Sequence, residues 1–313
     1  MANKLIVTAA PHITSADSTQ KIMQRVCLAL VPTLIVATLW YGISALILTA
    51  VTVAACVLFE MGYCKLVGRE NPTGDFSAVV TGLLLAFNMP AGLPWWMAVV
   101  GSFVAIVVVK QLFGGMGYNF ANPAIVGRIA MALGYTGAMT TYVFPNNGID
   151  ALASATPLGV AAEVGSAGYM TLLIGKHGGV LGETCAITIL LGGIYLIVTK
   201  VISPMIPMSY LGTVALISLL AGKDPIYQLL SGGLLLGAIF MATDYVTSPT
   251  TRKGKLVFGI GLGVITCAIR FLGTIPEGVS FAILLMNLLV PYIEELTRQE
   301  KLGIAKVKKG GAA

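Results

Sequence analysis

Charge is scarce in this chain: only 10% of its 313 residues are Asp, Glu, Lys or Arg, where soluble domains carry roughly a quarter. A water-facing surface cannot be assembled from that supply, which excludes a soluble globular protein. Histidine occurs only as His12 and His177, in separate loops, and neither finds a second His for metal binding. The five cysteines, Cys27, Cys56, Cys64, Cys185 and Cys267, form no C-x-x-C pair and lie mostly in apolar stretches. Neither a disulfide framework nor a self-contained metal site follows from them. A dinucleotide fingerprint, a haem motif and an iron-sulfur cysteine set are all missing, so the chain is not a complete redox enzyme by itself. Residues 1 to 20 hold no apolar core of the length a cleavable signal peptide needs, and the first membrane helix is expected to direct insertion.

Apolar residues fill the space that charge leaves: 57% of the chain is hydrophobic, with a mean hydropathy of +0.89. Runs such as Val26 to Trp40, Ser44 to Phe59, Trp95 to Val109 and Ile187 to Val198 approach the ~20 residues that cross a bilayer. The expected fold is an all-α polytopic membrane protein of about ten transmembrane helices. They fall near 21–40, 43–66, 75–88, 94–113, 121–136, 183–202, 208–221, 225–242, 255–272 and 278–297. The third, fifth and seventh are short or broken by Gly and Pro, which marks them as candidate half-helices lining an internal site.

Basic residues set the orientation, because cytoplasmic loops retain Lys and Arg. With the N-terminus inside, all of the 19 basic residues except Lys176, Lys223 and Arg270 fall on the inner side. Both termini are therefore expected in the cytoplasm. The net charge of +6 is a topology signal, and nucleic acid is not an expected partner, since the basic residues line one membrane side without an aromatic-interleaved stripe.

One stretch breaks the membrane pattern. Residues 137–180 are rich in Gly, Pro, Asn, Ser and Thr, and no Lys or Arg occurs from Ile129 to Gly175; the stretch reads as a long outside loop, a length usually tied to function. It divides the chain into a cytoplasmic segment 1–20, a five-helix membrane repeat 21–136, the extracytoplasmic loop 137–180, a second repeat 181–297 and a basic cytoplasmic tail 298–313. The halves share a weak internal resemblance: Phe113 to Tyr118 with Ala121 to Ala124, against Phe240 to Tyr245 with Thr247 to Thr250. Because five is odd, such halves would be inverted, a plan that places sites at the repeat interface.

Within the loop, Pro157 holds Thr156 extended and projects its hydroxyl. Taken alone, a Thr-Pro pair is ordinarily a surface turn. Glu183 before the sixth helix is ordinarily a residue favoured by the helix dipole. Lys110 and Asp244, each ending a helix, are ordinarily snorkelling or capping groups, and would otherwise face a cavity. Arg252, Lys253 and Lys255 read as topology anchors.

Several motifs together carry a resemblance. Ala10-Pro11-His12, Gly117 to Ala124 (GYNFANPA), Asp150 to Leu158, Gly178 to Thr184 (GGVLGET), Phe240 to Pro249 (FMATDYVTSP) and Glu277 to Asn287 (EGVSFAILLMN) follow in order along the chain. It resembles the D subunit of the Rnf complex, and more distantly the larger B subunit of the sodium-pumping NADH:quinone oxidoreductase. The resemblance implies FMN joined through its phosphate to Thr156 by a separate flavin transferase. Asp150, Ala155 and Thr156 match the acceptor motif; Ala153 and Ser154 stand where the family usually has Ser or Thr and then Gly. A second, non-covalent flavin such as riboflavin is also implied in the membrane portion, with no residue assigned to it. The implied activity is electron transfer within a complex that couples ferredoxin:NAD oxidoreduction to Na+ or H+ translocation in a bacterial or archaeal cell membrane. The implied partners are the A, B, C, E and G subunits, the flavin transferase and membrane lipid. The rival reading is a flavin-free transporter or channel for a small neutral solute, and a third is a structural membrane scaffold.

Overall fold

The computed structural model describes residues 17–69, 72–143, 168–175, 177–183, 185–273 and 278–298. Helix is the only regular structure among them, apart from one isolated bridge between Pro90 and Val180. The first half comprises α1 (Thr19–Tyr41), α2 (Ile43–Val67), α3 (Ser77–Phe87), α4 (Trp95–Gln111, its last eight residues, Val104–Gln111, wound as a π-helix) and α5 (Pro123–Gly134). Two short helices follow, α6 (Thr136–Thr140) and α7 (Tyr169–Ile174). The second half comprises α8 (Ala186–Val198), α9 (Met205–Leu220), the short α10 (Pro225–Leu230) and α11 (Leu234–Leu236, continuing as a π-helix over Gly237–Met241), then α12 (Arg252–Leu272) and α13 (Val279–Thr297).

α1, α2, α12 and α13 are long and apolar enough to cross a membrane; α3, α4, α5, α8 and α9 are shorter apolar helices. Counted with the broken α10–α11 segment, these correspond to the ten expected segments, and the protein is an all-α polytopic membrane protein. Large apolar side chains face outward, as Leu39 at 72% and Leu272 at 88% exposure illustrate, which in water would be prohibitive and in lipid is the stable arrangement.

Local signals fix several helix starts. Asn122 caps α5 by accepting from the N–H groups of Ala124 and Ile125, with Pro123 at the first helical position. Asp224 and Pro225 repeat that device at α10, and the Thr251 hydroxyl caps α12. An oxygen-bearing cap followed by proline satisfies orphan N–H groups where no preceding turn can. Of the three segments expected to be half-helices, α3 and α5 are, at 11 and 12 residues. The seventh, α9, is continuous over 16 residues. The interruption falls instead in the eighth, where Ser231, Gly232 and Gly233 separate α10 from α11; Gly232 takes a φ of 69°, which β-carbon-free residues adopt at little cost.

Both halves pack alike: α2 lies against α3 and α4, as α9 lies against α10 and α12, while α1 joins the halves by packing on α8. Small residues permit the closest approaches. A Cβ on Gly192 of α8 would stand 2.5 Å from the Ala29 carbonyl oxygen of α1. By this packing correspondence α4 answers to α12, not α11, so the two Gly- and Pro-bearing motifs after α4 and α11 are not positional equivalents. They converge on one place instead.

Candidate functional site, a cavity between the membrane halves

That place is a cavity of about 320 Å³, at the lower edge of the range for small-molecule sites, about 300–1,000 Å³. The first motif contributes Met116, Gly117, Asn119, Asn122 and Pro123, and the second Phe240, Thr243, Asp244, Tyr245 and Val246. Apolar walls come from Ile22 and Val26 of α1, Val80 and Leu84 of α3, and Leu196 of α8. Polar lining comes from Lys110 at the end of α4, Ser77 and Thr81 of α3, and Asn119, beside Asn122, Thr243 and Asp244 of the two motifs.

Much of the polar lining is already committed. Asn122 caps α5 and donates to the Met241 carbonyl at 3.3 Å, tying the two motifs together. Asn287 of α13, with its amide turned to satisfy its neighbours, donates to the Ile283 and Thr247 carbonyls and accepts from the Asn122 N–H. Thr81 and Thr243 return their hydroxyls to carbonyls of their own helices, Ser77 O and Ile239 O. Asn119 donates to the Ala121 carbonyl at 3.0 Å. Asp244 accepts from the Val246 N–H and the Thr247 hydroxyl. Enclosure pushes its carboxyl above the usual carboxylate range, opposed by those hydrogen bonds and by the Lys110 charge.

Behind the wall lies a buried ion pair. Lys110 Nζ is 2.6 Å from Glu60 Oε1, with the two side chains 4% and 0% exposed. Gln111 Nε2 donates to the same carboxylate oxygen at 2.6 Å, and Lys110 Nζ donates to Ser77 Oγ at 2.6 Å. Ser77 in turn donates to Asp75 Oδ1 at 2.5 Å. Lys110 is thus neither snorkelling nor capping: it faces the cavity, the less ordinary of its two expected roles. Glu60 escaped the sequence reading, although a lone carboxylate inside a 25-residue apolar helix is itself a signal of function or pairing.

On the opposite side from the α1 N-terminus, the flanks of the long loop are pinned to the helix ends. Trp40 Nε1 donates to the Ile174 carbonyl at 3.2 Å and Tyr41 OH to the His177 carbonyl at 3.1 Å. The Leu181 N–H donates to Met89 O at 3.0 Å, beside the Pro90–Val180 bridge. Tyr169 OH donates to Asp224 Oδ2 at 2.5 Å, a bond that holds the Asp224 carboxyl below and the Tyr169 phenol above their ordinary ranges. Burial lowers His177 from its usual value. Glu183, in the turn before α8, is buried; a Cβ on Gly233 would lie 3.4 Å from Glu183 Oε1 and 3.9 Å from Arg128 Nη1. Arg128 also donates to Ser280 Oγ at 2.6 Å. Asp150, Ser154, Ala155 and Thr156 lie outside the described residues, as does His12.

Among the described residues no group of His, Cys, Asp and Glu could hold a metal ion. A cavity of about 320 Å³ lined mainly by apolar side chains, with Lys110 and Asn119 among its few polar ones, suits a largely apolar ring that also carries hydrogen-bonding groups, such as an isoalloxazine. The residues present fit such a group.

Apolar helices on both sides of a ligand-sized cavity define a polytopic membrane protein with a site between its halves. Its sequence matches the NQR2, RnfD, RnfE family over residues 6–303, and the chain belongs to that family. It is 46% identical to the D subunit of the Na(+)-translocating ferredoxin:NAD(+) oxidoreductase complex of Acetobacterium woodii, across 99% of this chain and 98% of the relative. It is 38% identical to the D subunit of the proton-translocating ferredoxin:NAD(+) oxidoreductase complex of Clostridium ljungdahlii, across 96% and 97%. The D subunit of the ion-translocating oxidoreductase complex of Stutzerimonas stutzeri is 39% identical across 92% and 93%.

Proposed function

We propose that this chain is the membrane electron-transfer subunit of an Rnf-type complex coupling ferredoxin:NAD oxidoreduction to ion translocation in a bacterial or archaeal cell membrane. The observation that carries the reading is full-length likeness to the D subunits of such complexes. Those two relatives are named for different ions, Na+ and the proton, so the likeness favours neither. The partners are the A, B, C, E and G subunits, and both termini lie in the cytoplasm. Two inverted halves, 21–136 and 181–297, carry the site, a reading supported by the like packing of α2 on α4 and α9 on α12.

Two flavins serve this role in the proposal. FMN is esterified through its phosphate to Thr156 by a flavin transferase, with Asp150, Ser154 and Ala155 forming the acceptor segment. A non-covalent flavin, riboflavin, occupies the cavity. A flavin supplies one- and two-electron redox chemistry, and the protein contributes orientation and electrostatics. The apolar walls from α1, α3 and α8 would exclude water from a bound flavin, and Lys110 and Asn119 would supply its hydrogen bonds. The described residues that follow the Thr156 segment, Tyr169, Ile174 and His177, are tied by hydrogen bonds to Asp224, Trp40 and Tyr41.

The test is in-gel flavin fluorescence on denatured protein co-expressed with its transferase. A fluorescent wild-type band that disappears in Thr156→Ala is the expected result. A dark wild-type band with demonstrably active transferase overturns the covalent flavin and leaves the small-solute channel as the better account.

A further inference from the structure

The Glu60–Lys110 pair is an expensive choice for a membrane interior. Two charges leave water for a low-dielectric site, and apolar residues of like volume are often at least as stable there. The pair is also incompletely satisfied: Glu60 Oε2 is buried with no hydrogen-bond partner among the described residues, a situation that calls for an explanation beyond packing. Lys110 has three donors. Two go to Glu60 Oε1 and Ser77 Oγ, both at 2.6 Å, and the third is uncommitted among the described residues while the side chain lines the cavity. Glu60 does not line the cavity; it stands behind Lys110. The geometry is a cation presented to the chamber and a carboxylate that moderates it from the rear.

We propose that this pair sets the charge presented to the cavity, Lys110 acting as a positioning residue that favours the reduced, anionic form of a bound flavin and Glu60 limiting that bias. The inference rests on the reading that the cavity holds a non-covalent flavin. A nearby cation stabilises whichever state of its neighbour is more negative, and it does so more strongly in a site of low dielectric. Reduction places negative charge on the flavin's polar end, so the Lys110 ammonium shifts the oxidised–reduced balance, while the Glu60 carboxylate opposes it. Asp244 and Tyr245, the other ionisable groups on the wall, are common to every variant below.

The two members of the pair must therefore act with opposite sign, which a purely structural pair would not do. The experiment uses the full chain, expressed without flavin transferase so that Thr156 stays unmodified, purified in detergent and loaded with riboflavin. Binding is read by fluorescence quenching, and the balance by dithionite titration against a redox dye. Lys110→Met is expected to lower the reduced-to-oxidised ratio at fixed potential at least tenfold, about 59 mV for a one-electron couple or about 30 mV for two electrons. Glu60→Gln is expected to raise it by a similar factor, and the double variant to return near wild type. Should Lys110→Met fail to accumulate, Lys110→Gln keeps a donor for Ser77 and carries the same expectation. Shifts of the same sign in both single variants, or none in either, overturn the inference while leaving the cavity reading intact. A wild-type chain that does not quench riboflavin overturns the cavity reading and the inference with it.

Discussion

The seam between α9 and α12 offers a direct measure of how closely the second half is packed. Gly259 and Gly263 are one turn apart on α12, and both face α9. A Cβ added at Gly263 would lie 2.5 Å from the Thr213 Cβ and 3.2 Å from the Tyr210 carbonyl oxygen. Carbon atoms in good contact stand about 3.5–4.0 Å apart, so Gly263→Ala forces the helices apart by roughly 1 Å. Neither obstacle is the end of a flexible side chain. Overpacking of this kind costs about 1–3 kcal/mol, and separation also strains the buried hydrogen bond between Tyr210 OH and Thr266 Oγ1, 2.6 Å long and one turn along. Better helix propensity returns about 1 kcal/mol. The net expectation is a loss of about 1–2 kcal/mol, read as a fall in thermal unfolding temperature in detergent. Gly261→Ala is the control: its Cβ meets only the terminal methyl and sulfur of Met286, at 2.6 and 2.8 Å, and a thioether can swing away. It should match or exceed wild type. Equal stability of the two variants, or greater stability of Gly263→Ala, would refute the close-approach reasoning.

Other predictions concern the chamber and its supports. Asn122→Ala removes the α5 cap and the tie to Met241 O, and should cost about 0.5–2 kcal/mol, visible as a lower unfolding temperature and weaker riboflavin quenching. Glu60→Ala strands Lys110 and should destabilise by about 3–5 kcal/mol, whereas Glu60→Leu combined with Lys110→Met should recover most of that loss; an unrecovered double variant would mean the pair is structurally indispensable. Asp244, held above the ordinary carboxylate range, keeps its proton longer when folded than when unfolded. Folded protein therefore loses stability as pH rises from the ordinary value of about 3.9 through the raised one. Asp244→Asn should flatten that decline, and unfolding temperatures measured across acidic and neutral pH check it.

Hydropathy made most of the architecture legible, because lipid demands apolar side chains wherever a helix meets it. α1, α2, α4 and α13 begin and end within a few residues of their expected limits. The third and fifth segments were legible as half-helices from their length and flanking Gly or Pro. The eighth was not, since its break at Ser231 to Gly233 hides between leucine runs that read as one continuous span. The π-wound turns leave no mark in composition. The proposal of an acceptor segment around Thr156 rests on family resemblance alone; a Thr-Pro pair by itself is an ordinary turn. The buried pair was half legible: Lys110 stands out, but its partner lies 50 positions earlier on another helix, and spacing along one sequence cannot join them.

The π-wound end of α4 gives chain length a meaning of its own. On a regular α-helix neighbouring side chains diverge by about 100°, yet Lys110 and Gln111 both reach Glu60 Oε1, as the wider winding before them allows. A π-turn is an α-turn that has absorbed one additional residue. Loss of a single codon between Val104 and Val109 would let the segment relax to ordinary winding without harming its hydrophobicity or its fit in the bilayer. It would also rotate the ammonium away from the carboxylate. A one-residue deletion there would therefore break the Glu60–Lys110 pair while leaving both residues in the sequence.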